Sequence, residues 1–160
     1  MSFKILIISD THGSFKEIPY VYNLNEYSNI LYLGDGFDEA YSFVSRKNSL
    51  DKFIYVSGNC DNAPEVPRKR FINIDGIKIF MTHGDLYDVK TSYDKIIKHG
   101  FDIKADIIMF GHTHYAENFQ VDNLRVFNPG SIFPRKRDFA SIGYLEINNG
   151  QIIELEHLKF

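Results

Sequence analysis

The sequence predicts an α/β fold of mixed β-sheets with helices packed outside them. Three observations predict it. Short runs rich in Ile, Val, Phe and Tyr recur along the chain. Amphipathic helical stretches fall between some of them, and the later chain breaks into strand pairs joined by tight turns.

Apolar runs occupy residues 3–9, 29–33, 52–57, 77–82 and 106–110. Their length and β-branched or aromatic content predict strands, several of them buried on both faces. The segment 14–27 is less regular. Pro19 sits well only in a first helical turn, so a helix is expected to begin near Ile18. Phe37, Ala40, Tyr41 and Val44 share one helical face, with Asp38 as the expected cap. Tyr93, Ile96 and Ile97 do the same. Thr91 is expected to cap that helix with Asp94 three residues on, and Lys98-His99-Gly100 reads as its end. Three hairpins follow from their turns. Asp75-Gly76 joins 70–74 to 77–81, Asp122-Asn123 joins 117–121 to 124–127, and Asn149-Gly150 joins 142–148 to 151–157.

The 160 residues suit a single domain spanning 1–160, and an apolar fraction of 44% is ordinary for a folded chain. A net charge of −3 supplies no global basic field, which disfavours a nucleic-acid partner. Cys60 is the single cysteine, so no intrachain disulfide forms and a reducing compartment is favoured. The apolar run at 5–8 is far too short for a signal peptide or membrane span, and Asp10 ends it. A cytoplasmic protein without membrane association is expected. The sequence leaves homo-oligomer formation open.

Polar residues follow the predicted strands in a pattern. After the first comes Asp10-Thr11-His12, after the second Gly34-Asp35, and after the third Gly58-Asn59-Cys60-Asp61. After the fourth comes His83-Gly84-Asp85, and after the fifth Gly111-His112-Thr113-His114. The carboxyl edge of an α/β sheet is where ligands bind. A lone His is usually a hydrogen-bonded structural residue, and His99 and His157, outside these motifs, read that way. Five coincidences at one edge do not arise from stability alone, because buried carboxylates are costly unless paired or metal-bound. Imidazole and carboxylate donors without thiolate favour Mn²⁺, Fe²⁺, Zn²⁺, Co²⁺ or Ni²⁺ over Ca²⁺. The seven side chains Asp10, His12, Asp35, Asn59, His83, His112 and His114 are too many for one such ion and suit two. Two ions roughly 3.5–4 Å apart can clamp a phosphoryl group during in-line displacement.

In this order the motifs resemble those of the calcineurin-like metallophosphoesterase superfamily, and the likeness covers nearly the whole chain. Gly58-Asn59-Cys60-Asp61 and Asn128-Pro129-Gly130-Ser131 look like its small bacterial and archaeal phosphodiesterase branch. Retromer subunit 29 is related to it in fold. The resemblance implies a four-layer α/β/β/α sandwich with two mixed β-sheets. It implies one metal held by Asp10, His12, Asp35 and His114, and another by Asp35, Asn59, His83 and His112. Asp35 would bridge, and a bridging hydroxide would be the nucleophile. The cofactor expected is a pair of divalent transition-metal ions, Mn²⁺ first, with Zn²⁺, Fe²⁺, Co²⁺ and Ni²⁺ as alternatives. Asp10, Asp35, Asn59 and His83 are expected to serve catalysis directly.

The chain departs from the pattern twice. Many members carry His after the metal-binding Asn, where it protonates the leaving group; here Cys60, a poorer acid, stands there. Asp61 has two readings, a catalytic helper or a residue that holds the loop by hydrogen bonds. The branch often has His-Gly-His where this chain has His83-Gly84-Asp85, so Asp85 either modifies the second metal's surroundings or faces solvent. Two basic clusters, Arg68-Lys69-Arg70 and Arg135-Lys136-Arg137, read as solvated surface, with Arg135 a candidate for steering an anionic substrate. The expected reaction is hydrolysis of a small or nucleotide-like phosphodiester. The alternatives are a phosphomonoesterase using the same site, a nuclease disfavoured by the acidic balance, and a non-catalytic metal-binding interaction scaffold.

Overall fold

A computed structural model describes residues 1–134 and 139–160. Among them, strands β1 (Ser2–Ile8), β2 (Asn29–Tyr32), β3 (Phe53–Tyr55), β4 (Lys69–Ile74) and β5 (Ile77–Thr82) precede β6 (Ile107–Met109), β7 (Ala116–Val121), β8 (Leu124–Pro129), β9 (Ser141–Asn148) and β10 (Gln151–Lys159). Helix α1 (Phe37–Arg46) follows β2, and α2 (Asp94–Asp102) precedes β6. The first sheet has the order β10-β9-β1-β2-β3, and the second β4-β5-β6-β8-β7. Both are mixed. β1, β2 and β3 pair in parallel, as do β5, β6 and β8, while β9, β10, β4 and β7 join antiparallel.

The period-2 alternation of strand side chains explains the layering. Ile5 and Ile7 of β1 face a core shared with Ile79, Met81, Ile107 and Met109 of the opposite sheet. Leu6 and Ile8, one residue out of step, pack with Phe15, Ile18, Phe37, Ala40 and Val44 in a second core. On the far side Phe80 and Ile108 meet Ile96 of α2. The result is the four-layer α/β/β/α sandwich expected. Each buried Ile or Leu contributes on the order of 1.5–3 kcal/mol, and β1 is buried on both faces, so it anchors the edge on which Asp10 sits.

The three hairpins form at the turns read from the sequence. Asp75, Gly76, Asn149 and Gly150 all adopt positive φ, as tight hairpin turns require. The helices differ in detail from the sequence expectation. Asp38 lies in the first turn of α1, and the cap position falls to Gly36. The amides of Gly36 and Phe37 are accepted by the Asp61 carboxylate at 2.7 and 2.9 Å, so a distant residue caps this helix. Helix α2 begins at Asp94, whose N–H goes to Ser92 Oγ, while Thr91 Oγ1 donates to Asp88. It runs through Gly100 to Asp102. A side chain at Gly100 would meet Ile108 and Leu124, so this glycine permits close packing of the helix on the sheet and does not end it. Segment 14–27 forms two short 3₁₀ helices, Phe15–Tyr20 and Leu24–Glu26, with Pro19 inside the first. That helix starts at Phe15, earlier than expected, because the Glu39 carboxylate of α1 accepts the N–H groups of Phe15 and Lys16. Among the described residues no helix is long and apolar enough to cross a membrane.

Candidate metal centre

Parallel neighbours end at the same level, so β1, β2 and β3 deliver their following loops to one edge, and β5 and β6 do so from the second sheet. Asp10, His12, Asp35, His112 and His114 all have positive φ, between 43° and 69°. For non-glycine residues this conformation costs roughly 1–3 kcal/mol each, and its concentration here marks a functional site.

Six of the seven candidate ligands come together as two triads, Asp10, His12 and His114, and Asp35, His83 and His112. Within each triad the ligand atoms lie within 4.8 Å of one another. Asp35 Oδ2 stands 3.2 Å from His83 Nε2 and 3.9 Å from His12 Nε2, so it touches both triads. Asn59 lies on the same side in the loop after β3. Its side chain is exposed, with Nδ2 3.6 Å from Cys60 Sγ.

The carboxylates are held from behind. Asp10 Oδ2 accepts from Ser9 Oγ at 2.6 Å and from the His112 amide at 2.9 Å. Asp35 Oδ1 accepts from the Cys60 amide at 2.9 Å. The approach is close enough to require glycine. A Cβ on Gly111 would strike Ser9 Oγ and Asp10 Oδ2, and one on Gly58 would strike Asp35 Oδ1. Two histidines are oriented similarly. His83 donates from Nδ1 to the Leu33 carbonyl at 2.8 Å, and His114 from Nδ1 to the Phe133 carbonyl at 3.1 Å. Each therefore turns Nε2 toward the centre.

The free ends of these groups face one another. Asp10 Oδ1 is buried and makes no well-formed hydrogen bond. His114, His83 and His12 place Nε2 at 3.3, 3.8 and 4.0 Å from it. His12 and His114 present Nε2 to each other at 3.3 Å, and His112 Nδ1 lies 3.2 Å from His83 Nε2. Lone pairs in such contact repel unless protons or cations stand between them. Without metal, protons take that role. Burial works to raise the pKa of Asp10, but His114, His83 and Ser9 outweigh it and hold it low. Asp35 is likewise driven far below the carboxylate range, mainly by His83 against its burial. His83 is raised, because Asp35 and Asp10 overcome its desolvation. His112 is lowered by burial and then by His83. No Lys or Arg ion pair reaches either carboxylate among the described residues. The donor set fits divalent cations of the transition series.

A family model for the calcineurin-like phosphoesterase superfamily domain matches residues 3–150. The chain belongs to this superfamily. Relatives of this metallophosphoesterase include the probable metallophosphoesterase YsnB of Bacillus subtilis, 32% identical over 91% of this chain and 85% of that one. The phosphodiesterase YfcE of Escherichia coli is 27% identical over 95% and 92%. In fold, the chain is similar to Entamoeba histolytica Vps29 complexed with Zn²⁺, with a TM-score of 0.78 at 21% identity over 98% of this chain and 99% of that one. The superfamily and the two triads together point to divalent metal binding by a phosphoesterase.

Against that family pattern, the Asp61 carboxylate makes the hydrogen bonds that a loop-holding residue would make. Its two oxygens accept the N–H groups of Asp35, Gly36, Phe37 and Gly58 at 2.7–2.9 Å. Asp85 does not simply face solvent, since it pairs with Arg68, and its charge also reaches His112 of the second triad. Arg68 is correspondingly not a merely solvated charge, and Arg70 donates to the Tyr55 carbonyl at 2.7 Å while lying over its ring. Arg135-Lys136-Arg137 lies outside the described residues. His99 packs on Phe80 and Tyr87, and His157 stacks on Phe127 and donates to the Asn128 carbonyl, both structural as read. Sequence reasoning missed Ser9 and the carbonyls of Leu33 and Phe133. Ser9 adjoins Asp10 and was legible in principle; a backbone carbonyl has no side-chain signature. Ser131 Oγ donates to the Asp10 carbonyl at 2.8 Å, which ties Asn128-Pro129-Gly130-Ser131 to the centre.

Proposed function

We propose that residues 1–160 act as one domain that hydrolyses a small or nucleotide-like phosphodiester at a dinuclear centre. Asp10, His12, Asp35 and His114 would hold one ion, and Asp35, Asn59, His83 and His112 the other, with Mn²⁺ the first candidate. The observation that carries this is the buried, unbonded Asp10 Oδ1 among three imidazole Nε2 atoms. The phosphodiesterase name of the YfcE relative supports the reaction class.

Bound ions would neutralise phosphate charge and make water ionisable near neutral pH. The chain's own residues do the rest. Asp10 and Asp35 supply the negative charge that retains the ions. The Leu33 and Phe133 carbonyls keep His83 and His114 in the tautomer that presents Nε2. Asp61 is a positioning residue that keeps the Asp35 loop against the start of α1. Cys60 gives weak help to a departing alcohol, because desolvation and then the neighbouring Asp35 carboxylate push its thiol pKa up.

Metal-stripped protein, with each metal restored singly and assayed on diester and monoester panels, tests this reading. Two ions per chain with diester turnover is the expected result. Full diester turnover by metal-free protein would overturn the dinuclear assignment, and monoester turnover alone would overturn the substrate class.

A further inference from the structure

Arg68 stands beside the second triad, and the sheet register puts it there. β4 and β5 pair antiparallel as Ile72 with Ile79, Arg70 with Met81 and Lys69 with Thr82. One step further sets Arg68 opposite His83. Ile72 and Ile74 of β4 pack on the core between the two sheets, as do Ile79 and Met81 of β5. Side chains alternate along a strand, so Arg68 and His83 both continue that inner face. Arg70, between Ile72 and Arg68 on the same face, donates to the Tyr55 carbonyl of the first sheet. The backbone around Arg68 is tied on both sides. Thr82 Oγ1 donates to the Arg68 carbonyl at 3.1 Å, the Ser57 amide to the Pro67 carbonyl at 2.9 Å, and Ser57 Oγ to the Val66 carbonyl at 3.2 Å. Arg68 therefore leaves a segment clamped between the loops that carry Asn59 and His83.

The guanidinium is only partly committed. Its Nη2 pairs with Asp85, two residues past His83, whose charge also reaches His112. Its Nε is buried without a hydrogen-bond partner, and 39% of the side chain is exposed. Arginine presents its N–H groups in a planar fork that matches anionic oxygens, and a buried N–H without an acceptor is costly. The first triad has the opposite character. The hollow of about 400 Å³ at His12 is bordered by Asp38, Glu39 and Asp61, so a further negative charge there would meet like charge.

We propose that Arg68 determines substrate specificity by receiving a negatively charged group on the ester arm that lies on the side of His83 and His112. Asp85 holds the guanidinium in place for this. The proposal rests on the dinuclear phosphodiesterase reading above. It makes the substrate a diester with an anionic group on one arm, close to the scissile phosphate. The other arm, on the side of His12, carries no further negative charge.

The test is calorimetric titration of metal-loaded protein with ethyl phosphate, phosphoglycolate and phosphoethanolamine. Their arms are similar in size and carry no charge, a negative charge and a positive charge. Phosphoglycolate should bind about tenfold more tightly than ethyl phosphate, the scale of one charge-assisted hydrogen bond, and phosphoethanolamine no more tightly than ethyl phosphate. Arg68→Gln should bring phosphoglycolate close to ethyl phosphate and leave ethyl phosphate itself little changed. That variant strips the mostly buried Asp85 of its cation, so Arg68→Gln combined with Asp85→Asn is the second variant and should show the same loss. Wild-type protein that binds phosphoglycolate no better than ethyl phosphate overturns the proposal, whether or not either variant folds. A preference that survives in a folded variant also overturns it, because the metal ions alone would then read the carboxylate. Equal loss of all three probes in both variants makes Arg68 structural and overturns it as well. Diester hydrolysis without a preference for the anionic arm sinks the role of Arg68 alone. A preference lost in the variants, in a protein that hydrolyses no diester, upholds Arg68 and sinks the phosphodiesterase reading.

Discussion

The Asp61 carboxylate accepts the backbone N–H of Asp35 at 2.8 Å and, with the same two oxygens, three further amides at the start of α1 and in its own loop. Asp61 is thus bonded to the backbone of the residue assigned to bridge the metals. Asp61→Asn removes the charge and exchanges an acceptor for a donor. It should lower stability by about 2 kcal/mol, the scale of hydrogen bonds to a charged group, and reduce metal loading. Denaturant melts and elemental analysis check both effects. The pH–rate profile of the remaining activity should keep its shape. Loss of the alkaline limb would instead make Asp61 the proton donor.

Asp35→Asn addresses the bridge itself. Asp35 Oδ2 lies near imidazoles of both triads, and an amide oxygen is a weak substitute for a bridging carboxylate. Metal content should fall below two ions per chain, with turnover reduced by about 10²-fold or more. Full loading with full activity would count against the bridge.

Metal binding and pH should be coupled through His83. Its raised folded pKa means that its contribution to the stability of metal-free protein is complete below about pH 6.5 and is lost as pH rises through the folded value. Asp35, with a depressed pKa, contributes above about pH 3.9 and loses that contribution as pH falls through its folded value. His112 is lowered and so detracts from stability below about pH 6.5. Metal must displace the His83 proton, so affinity should rise with pH. The metal-induced gain in Tm should be several degrees larger near about pH 8 than near about pH 6. Thermal melts with and without chelator at both values measure it, and equal gains would refute the coupling.

Cys60 bears on substrate preference. A positioned acid contributes about 10²–10⁴-fold in rate, and a thiol with a raised pKa supplies little of it. Diesters with good leaving groups should therefore be favoured. A monoester dianion also brings extra charge near Asp10 and Asp35. Cys60→His should raise kcat/KM for monoesters relative to diesters by about tenfold or more. A wild-type preference for monoesters, or an unmoved ratio, would refute this account of Cys60.

The sequence by itself determined the strands, the hairpins and the residue types at the strand ends. These are local matters. Short continuous runs of β-branched and aromatic residues announce β1 and β5, Asp75-Gly76 and Asn149-Gly150 announce their turns, and Asp or His after an apolar run is visible without coordinates. The tertiary structure alone decided which of those groups touch and what each is free to do. Asp61 caps α1 from 24 residues away, Asp85 turns to Arg68, Gly100 lies inside a helix because Leu124 packs against it, and Asp10 Oδ1 is left unbonded. Each outcome depends on groups distant in sequence that two packed sheets bring within a few ångströms, and the energies involved, desolvation and short-range contact, have no periodic trace along the chain.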